Sequence, residues 1–192
     1  MPVLDNKFCY DKLMQNLGEV LQKHNMTLPT NSYMLDITYI NSYIPGESKD
    51  YGIEELFWDE NSNLGRLLHW PIIGSTIRPP GDNTVIKFVI KEYMERSIDR
   101  LDLKLPSLHH LLTTEYADVS LIIYTHCEAG VDRTGEVSGA YYMQFLNVTF
   151  ENAVKVDNSI INRDMYVDSR NELQWYCYYL KFVKGVKNLV CV

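Results

Sequence analysis

The sequence predicts an α/β fold with a short, mostly parallel central sheet flanked by helices. Three observations predict it. Val119 to Tyr124 is a compact β-branched run of the kind found in strands buried on both faces of a parallel sheet. Segments with apolar residues at three- and four-residue steps alternate with such runs, and the chain closes on helical rather than hairpin patterns. At 192 residues, with no Pro/Gly/Ser-rich linker and no internal repeat, positions 1–192 read as one domain with a substantial core.

The elements follow in order. Asp5 to His24 places Phe8, Leu13, Leu17, Val20 and Leu21 largely on one face, with Asp5 available as an N-cap, and reads as an amphipathic helix. Tyr33 to Ile40 reads as a strand, and Asn41 to Asn63, aromatic and turn-rich, as an irregular surface region. Leu64 to Ile73 is a second strand running into Pro71, Gly74 and the turn cluster Arg78 to Asn83. Thr84 to about Asp102 suits a helix, and Leu108 to Tyr116 a shorter one. After the strand Val119 to Tyr124, helices are expected over Thr134 to Leu146, Asn152 to Ile161 with Thr149 ahead of it, and Asn171 to Val186.

Composition removes several function classes. A net charge of -7 and no Lys/Arg cluster argue against nucleic acid or an anionic membrane as a partner bound by bulk charge. The start of the chain has no apolar signal-peptide core, and no apolar window is long enough to span a membrane, so a cytoplasmic protein is expected. The four cysteines, Cys9, Cys127, Cys177 and Cys191, show neither CxxC nor a His at metal-ligand spacing. Neither a metal site nor a disulfide framework is therefore expected, and Cys9, Cys177 and Cys191 read as small buried hydrophobes in a reducing compartment. His109 and His110 lack a partner at metal spacing and read as surface residues.

One segment stands apart. Ile122 to Glu136, IIYTHCEAGVDRTGE, drops from a strand-like run into a histidine, a cysteine, a glycine, an arginine and a threonine. A buried strand, a tight turn and a helix opening near Arg133 aim backbone N–H groups and a helix N-terminus at one spot, which attracts a phosphate dianion. A cysteine placed there, as Cys127 is, is favoured as the nucleophilic thiolate. The Arg133 fork can hold two phosphate oxygens, and Gly130 allows close backbone approach.

The segment from His126 to Gly135 resembles the HCxxGxxR[S/T] signature of the cysteine-dependent protein tyrosine phosphatase superfamily, nearest its compact dual-specificity and lipid-phosphatase branches. At average residue usage these five residues at this spacing would arise by chance with probability on the order of 10⁻⁵. The resemblance implies a tyrosine phosphatase-like fold and hydrolysis through a phosphocysteine intermediate, with no metal and no other cofactor. Cys127 would attack phosphorus. Arg133 and the loop Glu128, Ala129, Gly130, Val131 and Asp132 would bind the phosphoryl group, Thr134 would stabilise the departing thiolate, and His126 would order the loop.

Leu68 to Ile73 is similar to the strand leading into the family's general-acid loop, and Leu173 to Leu180 to its late helix. Family members carry an Asp just before a Pro in that loop, whereas here Pro71 is followed by Ile-Ile-Gly-Ser-Thr. Asp82 is the nearest carboxylate on a plausible mobile loop, either as general acid or as a turn or helix N-cap. Asp99 and Asp102 are backups that also read as surface charges. Asn171 and Gln174 read as water-positioning amides or as helix-start residues, capping or solvated.

The Asp132-Arg133 pair resembles phosphoinositide phosphatases, yet the loop carries Glu128 where such enzymes usually place basic residues. A carboxylate there repels a polyanionic head group. A phosphoprotein substrate, phosphotyrosine or dual-specificity, is therefore expected; a monophosphorylated phosphoinositide and a catalytically weak phosphate-binding module are the alternatives. The Tyr-rich stretch from Tyr33 to Trp58 reads as core or as a wall for a phenyl phosphate.

Overall fold

The computed structural model describes Val3 to Val192. The chain forms two compact units, one made of the residues up to Pro71 with Thr114–Glu128, the other of Ile72–Thr113 with Ala129–Val192.

The first unit opens with a minimal hairpin, β1 (Val3–Leu4) and β2 (Lys7–Phe8). Its turn is Asp5-Asn6, both at positive φ (52° and 60°), the two-residue turn whose twist suits antiparallel strands. Asp5 is therefore a turn residue and not a helix cap. Helix α1 (Tyr10–Lys23) starts later than the periodicity suggested, after Cys9, with no side-chain cap. Strand β3 (Ser32–Thr38) follows, then α2 (Pro45–Glu60), β4 (Gly65–His69) and, later in sequence, β5 (Ser120–His126).

Helix α2 replaces the irregular region expected over Asn41 to Asn63. Pro45 occupies the first turn, where its missing N–H costs nothing, and Glu47 lies near the helix's positive end. Its inward residues are Glu54 and Trp58, and a charged residue at a buried position breaks the apolar stripe that periodicity detects.

The sheet has order β4-β3-β5 with both pairings parallel. β3 is central and almost wholly buried, whereas β5 is half-buried over most of its length, less enclosed than its composition suggested. Phe8, Met34 and Trp58 form a core with Tyr10, Leu13, Phe57 and Tyr124 packed around it. Gly65 is required where β4 meets β3: a Cβ there would stand 2.2 Å from the Met34 carbonyl oxygen.

The second unit is helical: α3 (Asn83–Arg96), α4 (Leu101–Thr113), α5 (Asp132–Phe145), α6 (Phe150–Ile161) and α7 (Val167–Phe182). The helix expected over Thr84 to Asp102 ends at Arg96, and Asp102 belongs to the first turn of α4, which begins seven residues ahead of its expected start and contains Pro106. Helices α5 and α6 match their expected spans, with Thr149 capping α6 through the Asn152 N–H. Helix α7 is buried continuously from Asn171 to Leu180, and α3, α5 and α6 pack against it. Among the described residues this gives seven helices and a three-stranded parallel sheet beside the terminal hairpin, an α/β protein.

The C-terminal segment is fastened to α7. Cys177 and Cys191 form a disulfide, and the Gln174 amide donates to the Cys191 carbonyl at 2.7 Å. This corrects the reading of both residues as isolated thiols; they lie 14 positions apart, a spacing tied to no motif, and only the fold of the segment after α7 brings them together. Closing a loop of that length is worth about 3 kcal/mol in the chain-entropy model. Cys191→Ala should lower unfolding free energy by about 2–3 kcal/mol in urea titrations, and reduced wild-type protein should lose a similar amount. Equal midpoints for oxidised, reduced and substituted protein would show that the bond contributes nothing.

Candidate active site

Strand β5 delivers His126 and Cys127 to the end of the sheet. Its partner β3 runs alongside in parallel register, with Asp36 opposite Tyr124 and Thr38 opposite His126. Cys127 is 2% exposed, and Glu128 and Ala129 are exposed. Gly130 has φ of 77°, a conformation L side chains rarely adopt, so glycine is required at the turn. Val131 is the N-cap of α5 and the Gly135 N–H closes its first turn onto the Val131 carbonyl at 2.9 Å. Arg133 and Thr134 therefore lie in that first turn. The strand, turn and helix expected from the sequence are all present in this segment.

The imidazole of His126 is buried behind Cys127. Its Nδ1 lies 3.3 Å from the Cys127 carbonyl oxygen, so Nδ1 carries a proton and donates. Its Nε2 faces two carboxylates, Asp36 Oδ1 at 3.2 Å and Glu54 Oε2 at 3.6 Å. Trp58 Nε1 donates to the other Asp36 oxygen at 2.9 Å. Burial opposes a charge on His126, but the two carboxylates overcome it and raise its pKa; burial is also what pushes Glu54 up to about 7. Asp36, Glu54 and His126 bring three ligand-type atoms within 4.8 Å of one another, a donor set that could hold a metal ion.

Neither Asp36 nor Glu54 stood out in the sequence. A signal was present: Asp36 and Thr38 interrupt an apolar strand on one face, and Glu54 and Trp58 are one helical turn apart.

Asp132 turns away from the role its neighbour Arg133 suggests for it. Its carboxylate accepts from Arg163 Nη1 at 2.9 Å and from the Tyr166 N–H at 2.7 Å, and Arg163 stacks over the Tyr166 ring. Burial works against the anion, yet Arg163 and the Tyr166 N–H hold the Asp132 carboxyl below its ordinary range. Asp132 thus anchors the start of α5 to the segment before α7. Beside it, Gly135 is required because a Cβ would meet the Asp157 carboxylate at 2.0 Å. Asp157 is buried without a hydrogen bond, and burial pushes its carboxyl up to about 7.

The remaining candidates are spread through the second unit. Asp82 caps α3, its carboxylate accepting from the Thr84 N–H at 2.7 Å, which is the N-cap alternative read for it. Asp99 is not a surface charge. It is 1% exposed and accepts from the N–H groups of Ile73 and Gly74, both at 2.7 Å, so it fixes the segment after Pro71. Asp102 pairs with Arg100 at 2.9 Å.

Asn171 and Gln174 are buried rather than capping or solvated, and donate to the carbonyls of Ser75 at 3.0 Å and Cys191 at 2.7 Å. His109 stacks on Phe145 at 3.9 Å and its Nδ1 lies 3.0 Å from the Tyr141 hydroxyl, a packed position rather than a surface one.

No protein-family model matches the chain, and no curated protein matches it.

Two further carboxyls are buried near Asp99. Glu172 accepts from Tyr93 at 2.6 Å and Ser97 at 2.7 Å, and burial pushes it up to about 7; Glu136, fully buried in α5, is pushed well up by burial and by Asp99 and Glu172. Carboxyls raised in this way are protonated in the fold and ionised in the unfolded chain between their ordinary range and about pH 7. The folded state binds more protons there, so stability is fully present below about pH 4 and is lost as pH rises toward 7. Melting temperature at low ionic strength should therefore be higher at pH 5 than at pH 7.5. Asp157→Asn should reduce the corresponding difference in unfolding free energy by an amount on the order of 1 kcal/mol after solvent screening, whereas an unchanged pH slope would mean that Asp157 is ionised in the fold.

Proposed function

We propose that this protein is a cysteine-dependent phosphomonoester hydrolase acting on phosphoprotein substrates, phosphotyrosine or dual-specificity, with a tyrosine phosphatase-like fold. The observation that carries the proposal is the segment from His126 to Thr134. A nucleophilic residue type directly follows a sheet strand, a glycine at positive φ turns the chain, and a helix opens at Asp132 with Arg133 in its first turn. That arrangement directs amides and a cation toward an anion.

In the proposed reaction the Cys127 thiolate attacks phosphorus, an S–P bond forms and the P–O bond to the leaving group breaks. Arg133 and the loop amides take the charge on the equatorial oxygens. An acid protonates the leaving oxygen, and water then cleaves the S–P bond to release inorganic phosphate and restore the thiolate. No metal takes part in either step. Thr134 is assigned to stabilising the thiolate as it is released.

For the substrate, Asp132 carries no weight, because Arg163 and the Tyr166 N–H occupy its carboxylate. The exposed variable positions are Glu128 and Ala129, and the Glu128 carboxylate disfavours a multiply phosphorylated head group. A monophosphorylated phosphoinositide is the second substrate reading, and a phosphate-binding module with little turnover is favoured by one observation, the occupation of Asp82 as a helix cap.

Hydrolysis of para-nitrophenyl phosphate without added metal should be measurable and should vanish in Cys127→Ser. Arg133→Lys should lower kcat by about 10²–10³, the cost of a misplaced charge stabiliser. No turnover alongside vanadate binding would move the reading to the binding module. Asp82→Asn should lower kcat and flatten the basic limb of its pH profile if Asp82 is the acid. An unchanged profile, with a lowered melting temperature from the weakened cap, would leave Asp82 with its capping role alone.

A further inference from the structure

Three lone-pair-bearing groups face one another inside the first unit. His126 spends its Nδ1 proton on the Cys127 carbonyl, which in the neutral ring leaves Nε2 as a bare acceptor. That acceptor faces carboxylate oxygens of Asp36 and Glu54 at 3.2 and 3.6 Å. All three residues are buried, Asp36 and Glu54 at 0% exposure. Neither Glu54 oxygen makes a hydrogen bond of acceptable geometry, and the same holds for the Thr38 hydroxyl, although Thr38 lies close enough to favour the Glu54 anion. Buried acceptors so arranged repel one another unless something positive sits among them.

From this we infer a buried site for a divalent transition-metal ion, with zinc as the fitting representative, held by Asp36, Glu54 and the Nε2 of His126, and with the Thr38 hydroxyl as fourth donor. Ligand atoms about 2.0–2.1 Å from a tetrahedral zinc stand about 3.3–3.4 Å apart, close to the two spacings at His126. The surroundings are built as such sites are. The non-ligating nitrogen of His126 donates to a backbone carbonyl, and the non-ligating oxygen of Asp36 accepts from Trp58. Two carboxylates balance the charge of the ion.

Each donor has a structural reason to be there. Asp36 and Thr38 are two apart on β3 and so share a face; His126 is the register partner of Thr38 on β5; Glu54 lies one turn before Trp58 on α2. An ion at this point would tie the two strands to the helix. The donor set, an imidazole with two carboxylates and a hydroxyl, suits zinc better than magnesium or calcium, which take oxygen ligands and keep waters.

The test reads metal content rather than turnover, so its outcome is independent of the phosphatase proposal. Full-length protein carrying Cys127→Ser, which removes the nearby thiol as a competing ligand, is expressed with zinc and freed of excess by gel filtration. About one zinc per chain by mass spectrometry is expected, falling at least tenfold when Glu54→Gln is added. The same protein with cobalt should show visible bands without a thiolate charge-transfer band. If the Glu54→Gln chain does not fold, X-ray absorption of the zinc-loaded Cys127→Ser protein decides: a shell of nitrogen and oxygen with one imidazole supports the site. No retained zinc, sulfur in the shell, or full zinc content in folded Glu54→Gln protein overturns it. In the first of these outcomes the cluster is held by protons, with His126 as an imidazolium between Asp36 and a protonated Glu54.

Discussion

The contact between His126 and Asp36 is the interaction on which the candidate site's architecture rests. It joins the end of β5 to the middle of the central strand, and its position is fixed from both sides, by the Cys127 carbonyl on one ring nitrogen and by Trp58 on the far oxygen of Asp36. Because the ring cannot rotate without breaking the hydrogen bond to the Cys127 carbonyl, the backbone of Cys127 is held where β5 leaves it. The cost of burying Asp36 and Glu54 is large, and such groups persist only when paired or neutralised. Packing alone would be served as well by apolar residues at those positions, so their presence points to a demand other than core volume.

A similar logic governs the second unit with different residues. Asp99 accepts from two consecutive N–H groups, those of Ile73 and Gly74, and so fixes the segment just after Pro71. Gly74 is at φ 81°, and a Cβ there would meet the Asp168 carbonyl carbon at 2.7 Å, so the segment runs tightly against the start of α7. Ser75 donates its N–H to the Asp168 carbonyl and its own carbonyl accepts from Asn171. The stretch just after the strand that resembles the one leading into the family's general-acid loop is thus pinned at Ile73 to Ser75.

What was legible in the sequence follows from what periodicity and motif spacing encode. The parallel strands, α5, α6 and the turn at Gly130 announced themselves because apolar spacing, a cap or a required glycine is local information. Helix α2 did not, because its buried face carries Glu54, and Asp5 misled because a turn at positive φ and an N-cap favour the same residue types. Asn171 and Gln174 read as water-positioning amides or as capping or solvated helix-start residues, whereas α7 is buried from Asn171 to Leu180 and both amides donate to backbone carbonyls. The Cys177–Cys191 bond and the Asp36–Glu54–His126 cluster depend on contacts remote in sequence. No single-segment pattern reports them.

The buried carboxyls also change the electrostatic argument about substrate. A net charge of -7 counts Glu136, Asp157 and Glu172 as anions, yet burial raises the pKa of each, that of Asp157 and of Glu172 to about 7. Total charge therefore overstates the repulsion that a polyanionic ligand would meet, and it loses its force as an argument against one. Glu128 keeps its force, because it is exposed next to Cys127 in the sequence. Under the proposed reaction, discrimination between one phosphate and several is assigned to Glu128 at short range, where screening by salt is least effective.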